Sequence, residues 1–126
     1  MLGVNKMNIW IIDDNADLLE LLKSSLGDLG NNGWHLQTFS CGKDVLNYSM
    51  GCHGIPEVVV LDWTLPDLPA LHVLEHIGRQ YRSARVVVIS GNVDVQDQLP
   101  AHVHWLGKPF RLAVFRQLVS DLASQI

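Results

Sequence analysis

The sequence predicts an α/β domain in which a parallel sheet lies between two layers of helices. Three observations predict it. Apolar, β-branched runs at residues 9–12 (IWII), 58–61 (VVVL) and 86–89 (VVVI) have the composition of strands buried on both faces. Stretches of helical period or helix-capping composition separate them. Strand and helix alternate five times along 126 residues, and that alternation builds a parallel sheet with right-handed crossovers.

Residues 7–12 form the first strand, which ends in Asp13-Asp14. Asn15 is suited to cap a first helix, along which Leu18, Leu22, Leu26 and Leu29 recur at helical spacing. Gly30, Asn31, Asn32 and Gly33 close it with turn chemistry. Residues 34–39 alternate, with Leu36 and Thr38 on one side and His35, Gln37 and Phe39 on the other; they make a second strand nearer an edge. Ser40 is expected to cap a short second helix that carries Val45 and Leu46 and reaches about Tyr48. Residues 50–56 are a loop, punctuated by Gly51, Gly54 and Pro56.

The third strand starts at Val58 and ends at Asp62, and Pro66 keeps the chain from continuing as strand. Pro69 begins a third helix, where proline is tolerated, and Leu71, Leu74 and Ile77 give its apolar stripe. Residues 85–90 are the fourth strand and end in the hydroxyl of Ser90; Gly91 follows and permits close backbone approach. Residues 92–101 have few apolar side chains and contain Pro100, so a fourth helix is short. Residues 102–106 are the fifth strand. Gly107-Lys108-Pro109-Phe110 is the loop after it, and Leu112, Phe115, Leu118, Val119 and Leu122 mark the fifth helix. Residues 1–6 are expected to be a flexible extension of this single domain, 1–126.

Composition narrows the function. The chain is 48% hydrophobic and 17% charged, enough for one real core. Its net charge of −4 argues against a basic face gripping nucleic acid. No apolar run approaches the roughly 20 residues that cross a bilayer, and residues 1–6 lack the apolar centre of a signal peptide. A cytoplasmic protein without membrane attachment is expected. Cys41 and Cys52 show no CxxC spacing and read as reduced thiols.

In a parallel sheet all the strand ends reach one edge. Asp13 and Asp14, Asp62, Ser90 and Lys108 would therefore meet around one crevice. The strand order expected is 2-1-3-4-5, the flavodoxin-like one, taken over from doubly wound sheets in general. Taken singly, each group has an ordinary reading: an acidic pair at a helix start, a surface lysine, a turn serine. Together, clustered carboxylates suit a hard divalent cation such as Mg²⁺. A lysine and a hydroxyl beside them suit phosphoryl oxygens, and an aspartate can serve as nucleophile.

With those residues in their order, the chain resembles the response-regulator receiver domains of two-component signalling, from the first strand to the fifth helix. The resemblance implies a phosphoacceptor signalling domain rather than a metabolic enzyme, one that assists its own phosphorylation and dephosphorylation. Asp62 would take a phosphoryl group from a histidine kinase or histidine phosphotransfer protein. Asp14, Asp62 and the Thr64 backbone carbonyl would bind Mg²⁺, with Asp13 acting through metal-bound water. Lys108 would contact the phosphoryl group, and Ser90 would swing inward to it. Trp105, three residues before Lys108, stands at the switch-aromatic position. The Lys108-Pro109 bond is often cis in the family. Thr64 and Asn92 stand where side chains tune phosphoryl lifetime. The interval from Ser90 to Lys108 is short for the family, and the loss falls in the fourth helix, the usual signalling element.

Other readings remain open. An aspartyl-nucleophile phosphatase wants a second Asp two positions after Asp62, where Thr64 stands. A degenerate receiver would act as a phosphorylation-independent interaction module. A flavin-binding module would not place Asp13-Asp14 in its phosphate loop. His72 and His76, four apart, have no evident third metal ligand and read as a solvated helix face. The output, any effector domain and a homodimer are left open.

Overall fold

A computed structural model describes residues 7–27, 34–51 and 54–125. Among the described residues there are five strands: β1 (Asn8–Ile12), β2 (His35–Phe39), β3 (Val58–Asp62), β4 (Arg85–Ser90) and β5 (His104–Gly107). All neighbours pair in parallel, in the order β2-β1-β3-β4-β5, so the expected flavodoxin-like sheet is the one observed. The helices are α1 (Ala16–Gly27), α2 (Gly42–Ser49), α3 (Ala70–Gln80), α4 (Asp94–Gln98) and α5 (Leu112–Ser124).

Period-two alternation divides the strands between two cores. Ile9, Ile11, Val58, Val60, Val87 and Ile89 face α1 and α5, packing on Leu22, Leu26, Phe115 and Val119. Trp10, Ile12, Val59, Leu61, Val86 and Val88 face the opposite layer, with Val45 of α2, Val73 and Ile77 of α3 and Val95 of α4. Burying one such side chain contributes about 1.5–3 kcal/mol, so the strands are held from both sides by the same apolar runs that identify them. Trp10 adds edge-on contacts with Phe39, Tyr48 and Tyr81 at centroid distances of 5.3, 5.6 and 5.4 Å.

Most elements lie where their residues predict, and some details differ. In α1, Leu19 is buried while Leu18 is half-buried, although Asn15 caps as expected through Leu18 N–H at 3.1 Å. Leu29 and residues 30–33 lie outside the described residues, as do residues 1–6 and Cys52-His53. Ser40 does not cap α2: the helix starts at Gly42, with Cys41 at the N-cap making no side-chain cap bond. Pro69 stands just before α3 rather than as its first residue, and Leu71 is 48% exposed while Val73 takes the buried place. Finally, β5 begins at His104, because Val103 N–H turns back to Pro100 O at 3.0 Å. The fourth helix is short as expected, with five residues.

Candidate functional site

Parallel pairing brings the strand ends level. Ile12 pairs with Leu61, so Asp13 and Asp62 leave the sheet side by side. Asp62 pairs with Ile89, and Ser90 with Gly107, which puts Lys108 next along the rim. Ladder bonds continue past the strands: Asp13 N–H donates to Phe39 O at 3.0 Å, Trp63 N–H to Ile89 O at 2.9 Å and Lys108 N–H to Ser90 O at 2.9 Å. The loops that carry the polar groups are thereby fixed by backbone, before any side chain acts.

At this rim lie the buried polar side chains of the described residues: Asp13, Asp62 and Ser90, with 2%, 5% and 7% exposure. Buried carboxylates are costly unless paired. The Lys108 ammonium supplies that pairing, donating to Asp62 Oδ1 at 3.4 Å and standing 3.7 Å from Asp13 Oδ2. The Lys108-Pro109 peptide bond is cis, as the resemblance implies. Asp14 is exposed, yet one oxygen from each of Asp13, Asp14 and Asp62 lies within 4.8 Å of the others. The sequence-predicted acidic set and lysine are therefore brought together.

The acid cluster has oxygen donors to offer a cation. Asp13 Oδ1 accepts the Asn15 N–H at 2.9 Å, while Asp13 Oδ2 is buried and receives no hydrogen bond among the described residues. The cluster holds three carboxylates and one ammonium, which faces Asp13 and Asp62, so negative charge is left uncompensated. Hard oxygen donors, one of them a buried oxygen that accepts no hydrogen bond among the described residues, fit Mg²⁺, which binds through one or two carboxylates and keeps its own waters.

The charge imbalance also has a consequence for stability. Burial, and then the charge of Asp13, push the Asp62 carboxyl above its usual value of 3.8, with Lys108 and the Thr64 N–H partly opposing them. A raised value means that the folded protein holds a proton which the unfolded chain releases. Stability therefore falls as pH rises from 3.8 through the folded value, and the cost remains above it. In a chelating buffer, Asp62→Asn is expected to raise the thermal midpoint at neutral pH, with the difference vanishing below pH 3.8. Unfolding followed by circular dichroism across that range checks it.

The remaining predicted site residues divide. Thr64 is exposed, and its N–H reaches Asp62 Oδ1 at 3.4 Å, so it stands beside the carboxylate. The Ser90 hydroxyl is engaged away from Asp62: it accepts Asn92 N–H at 3.0 Å and donates to Asn92 O at 3.4 Å. Asn92 in turn accepts Asp94 N–H at 2.9 Å, which ties its side chain to the start of α4. Trp105 packs on the α2–α4 side of the sheet, with its Nε1 buried and unbonded among the described residues. Its ring lies over Gly107, where a Cβ would come within 2.6 Å of Cη2.

His72 and His76 do not form a metal pair with a third ligand among the described residues. His76, expected on a solvated face, instead turns to α2, its Nε2 2.7 Å from Ser49 Oγ. Cys41 is a free thiol. The residue that sequence reasoning missed is Asp67, whose carboxylate accepts the N–H groups of Gly42 and Lys43, both at 2.8 Å. Its only sequence signal is indirect, the lack of a good capping side chain at Cys41.

The comparisons with known proteins agree with this geometry. The family model for the response regulator receiver domain matches residues 9–119. Among curated proteins, the DNA-binding transcriptional regulator NtrC of Proteus hauseri is 25% identical over 111 residues, covering 85% of this chain and 22% of its own length. The transcriptional regulatory protein KdpE of Mycobacterium tuberculosis is 31% identical over 93 residues, covering 74% of this chain and 38% of its own. The chain thus spans well under half of either relative. Among solved structures, a response regulator receiver protein from Sinorhizobium medicae superimposes with a TM-score of 0.82 at 22% identity, over 97% of this chain and 98% of that one. The chemotaxis response regulator CheY4 of Vibrio cholerae gives 0.78 at 15% identity, over 94% and 99%. The backbone likeness extends over almost the whole chain, and the family's match runs from β1 into α5; this chain belongs to the response regulator receiver domain family of two-component signal transduction.

Proposed function

We propose that Asp62 is the phosphoacceptor of a magnesium-dependent switch, charged by a histidine kinase or a histidine phosphotransfer protein. The observation that carries this reading is the buried Asp62 carboxylate held between Lys108 and the other two acids. Asp14, Asp62 and the Thr64 carbonyl are the residues that would hold Mg²⁺, with Asp13 anchoring a bound water. When bound, the ion offsets the carboxylate charge and supplies a Lewis acid for a phosphoryl oxygen. In the transfer, a bond forms between an Asp62 carboxylate oxygen and phosphorus, and the bond from phosphorus to the donor's imidazole nitrogen breaks. Lys108 meets the charge on the phosphoryl oxygens, and the rigid strand ends hold nucleophile and ammonium in place. Beside Lys108, a groove of about 480 Å³ lined by Leu18, Leu21, Phe110 and Leu112 gives a donor protein apolar surface to bury at the site.

The test is chemical. With acetyl phosphate as donor, label is expected only when Mg²⁺ is present, and it is expected to be lost in hydroxylamine, as an acyl phosphate is. Label that forms in chelator, or that survives hydroxylamine, contradicts the reading.

The switch proposed runs through Ser90 and Trp105. Ser90 must leave Asn92 to reach a phosphoryl group on Asp62, and Gly107, the strand partner of Ser90, is the floor beneath the Trp105 ring. A movement at Ser90 is thus felt under the indole. Gly107→Ala is expected to displace the ring, because a Cβ 2.6 Å from an indole carbon is far inside van der Waals contact. Fluorine NMR of 5-fluorotryptophan-labelled protein checks it: the Trp105 resonance shifts, while that of Trp10 in the core stays. The output proposed is contact with an effector protein or domain, in a protein that works in the cytoplasm. The two curated relatives are by name transcriptional regulators, which fits DNA binding left to an effector. A phosphorylation-independent interaction module is the second reading, favoured by an α4 of only five residues; the labelling test separates the two.

A further inference from the structure

The β3–α3 loop, residues 63–69, is held at two points. At one end Trp63 N–H donates to Ile89 O at 2.9 Å, extending the sheet ladder. At the other, the Asp67 carboxylate takes the first two N–H groups of α2 with both oxygens, Oδ1 from Gly42 and Oδ2 from Lys43, each at 2.8 Å. Helix N-termini leave such donors unpaired and normally satisfy them from an adjacent residue. Here the adjacent residue, Cys41, makes no side-chain cap bond, and the cap comes from 25 residues away.

The joint is tightly built. A Cβ on Gly42 would lie 3.1 Å from Leu68 Cβ, Leu68 Cδ1 and Val73 Cγ2, so the backbone of α2 rests directly on the residue after Asp67. Burial opposes ionisation of Asp67, but the N–H groups of Lys43 and Gly42 outweigh it and hold the carboxyl below its usual value. Thr64 lies between the two anchors, with its N–H on Asp62.

We infer that Asp67 is a positioning residue for the metal site: by fastening the loop to the N-terminus of α2, it holds the Thr64 carbonyl where a divalent cation bound by Asp14 and Asp62 needs it. This rests on the metal reading given under Proposed function. Asp67 touches neither cation nor phosphoryl group. It acts by fixing the loop backbone between Trp63 and α3, so that the carbonyl need not be ordered when the ion arrives.

The experiment is a titration with MgCl₂ followed by intrinsic tryptophan fluorescence, in which Trp63 adjoins Asp62. Three variants are compared with wild type: Asp67→Ala, Asp67→Asn and the double variant Cys41→Ser/Asp67→Ala. Cys41 has the extended backbone of an N-cap, so a serine there can cap α2 locally. The double variant therefore restores the helix cap without restoring the tie to the loop. Asp67→Ala is expected to raise the Mg²⁺ midpoint about tenfold, the low end of the loss when an outer-shell partner of a metal ligand is removed. Asp67→Asn keeps one acceptor and falls between, and it carries the test if the alanine variant does not fold. The double variant regains the thermal midpoint but keeps the raised Mg²⁺ midpoint. An unchanged midpoint in Asp67→Ala, or one restored together with stability in the double variant, overturns the positioning role while leaving the metal site intact. No fluorescence response to Mg²⁺ in wild type overturns the metal reading itself.

Discussion

Asp62→Asn is expected to reduce phosphoryl incorporation from acetyl phosphate to background, whereas Lys108→Ala is expected to slow it about a hundredfold, comparable to removing one preorganised donor from a charge-stabilising site. The two losses differ in kind. Asparagine keeps the shape of Asp62 but has no anionic oxygen to attack phosphorus, so no acyl phosphate can form. Alanine at position 108 leaves that nucleophile in place and removes the ammonium that lies 3.4 Å from Asp62 Oδ1 and 3.7 Å from Asp13 Oδ2. Two buried acids then lose their cation partner, so the variant is expected to depend more steeply on Mg²⁺ concentration than wild type. Rates of label incorporation at several Mg²⁺ concentrations measure both effects. Full incorporation in Asp62→Asn would move the acceptor elsewhere.

Phe115→Ala is expected to destabilise the protein by about 3–5 kcal/mol, the range for deleting a fully buried aromatic ring. Phe115 has no exposed surface and sits among Leu22, Leu26, Val60 and Ile89, where α5 and α1 meet the sheet. Its ring is 5.9 Å from that of Phe110, in the loop that carries Lys108. The cavity therefore opens beneath the loop that positions the ammonium. Total stabilities are about 5–15 kcal/mol, so this one change removes a large share. Urea unfolding read by circular dichroism gives the value, and a loss below about 1 kcal/mol would mean that α5 does not pack as described.

Much of the fold was legible because its strands are buried on both faces. A strand covered on one side alternates and can be misread, but VVVL and VVVI leave little choice, and each stops where a polar group begins. Asp62 and Ser90 were found for that reason, and Lys108 by its place after the fifth strand. What could not be read depended on contacts between distant residues. The cap of α2 comes from Asp67, 25 positions on, so Ser40 was the natural local candidate and the wrong one. In α3, both Leu71 and Val73 fit a helical stripe with Leu74 and Ile77; packing against the sheet buries Val73 and leaves Leu71 48% exposed. His102 and Val103 read as strand until the turn at Pro100 is known. The glycine floor under Trp105 was likewise invisible, since a strand glycine has several ordinary meanings.

Crystals grown with MgCl₂ and beryllofluoride, a mimic of the phosphoryl group, test the account most directly. The expected density places beryllofluoride on the Asp62 carboxylate with Lys108 Nζ against it, and Mg²⁺ on Asp14, Asp62 and the Thr64 carbonyl. Beryllofluoride bound to another side chain, or Mg²⁺ bound away from Asp14, Asp62 and the Thr64 carbonyl, would contradict it.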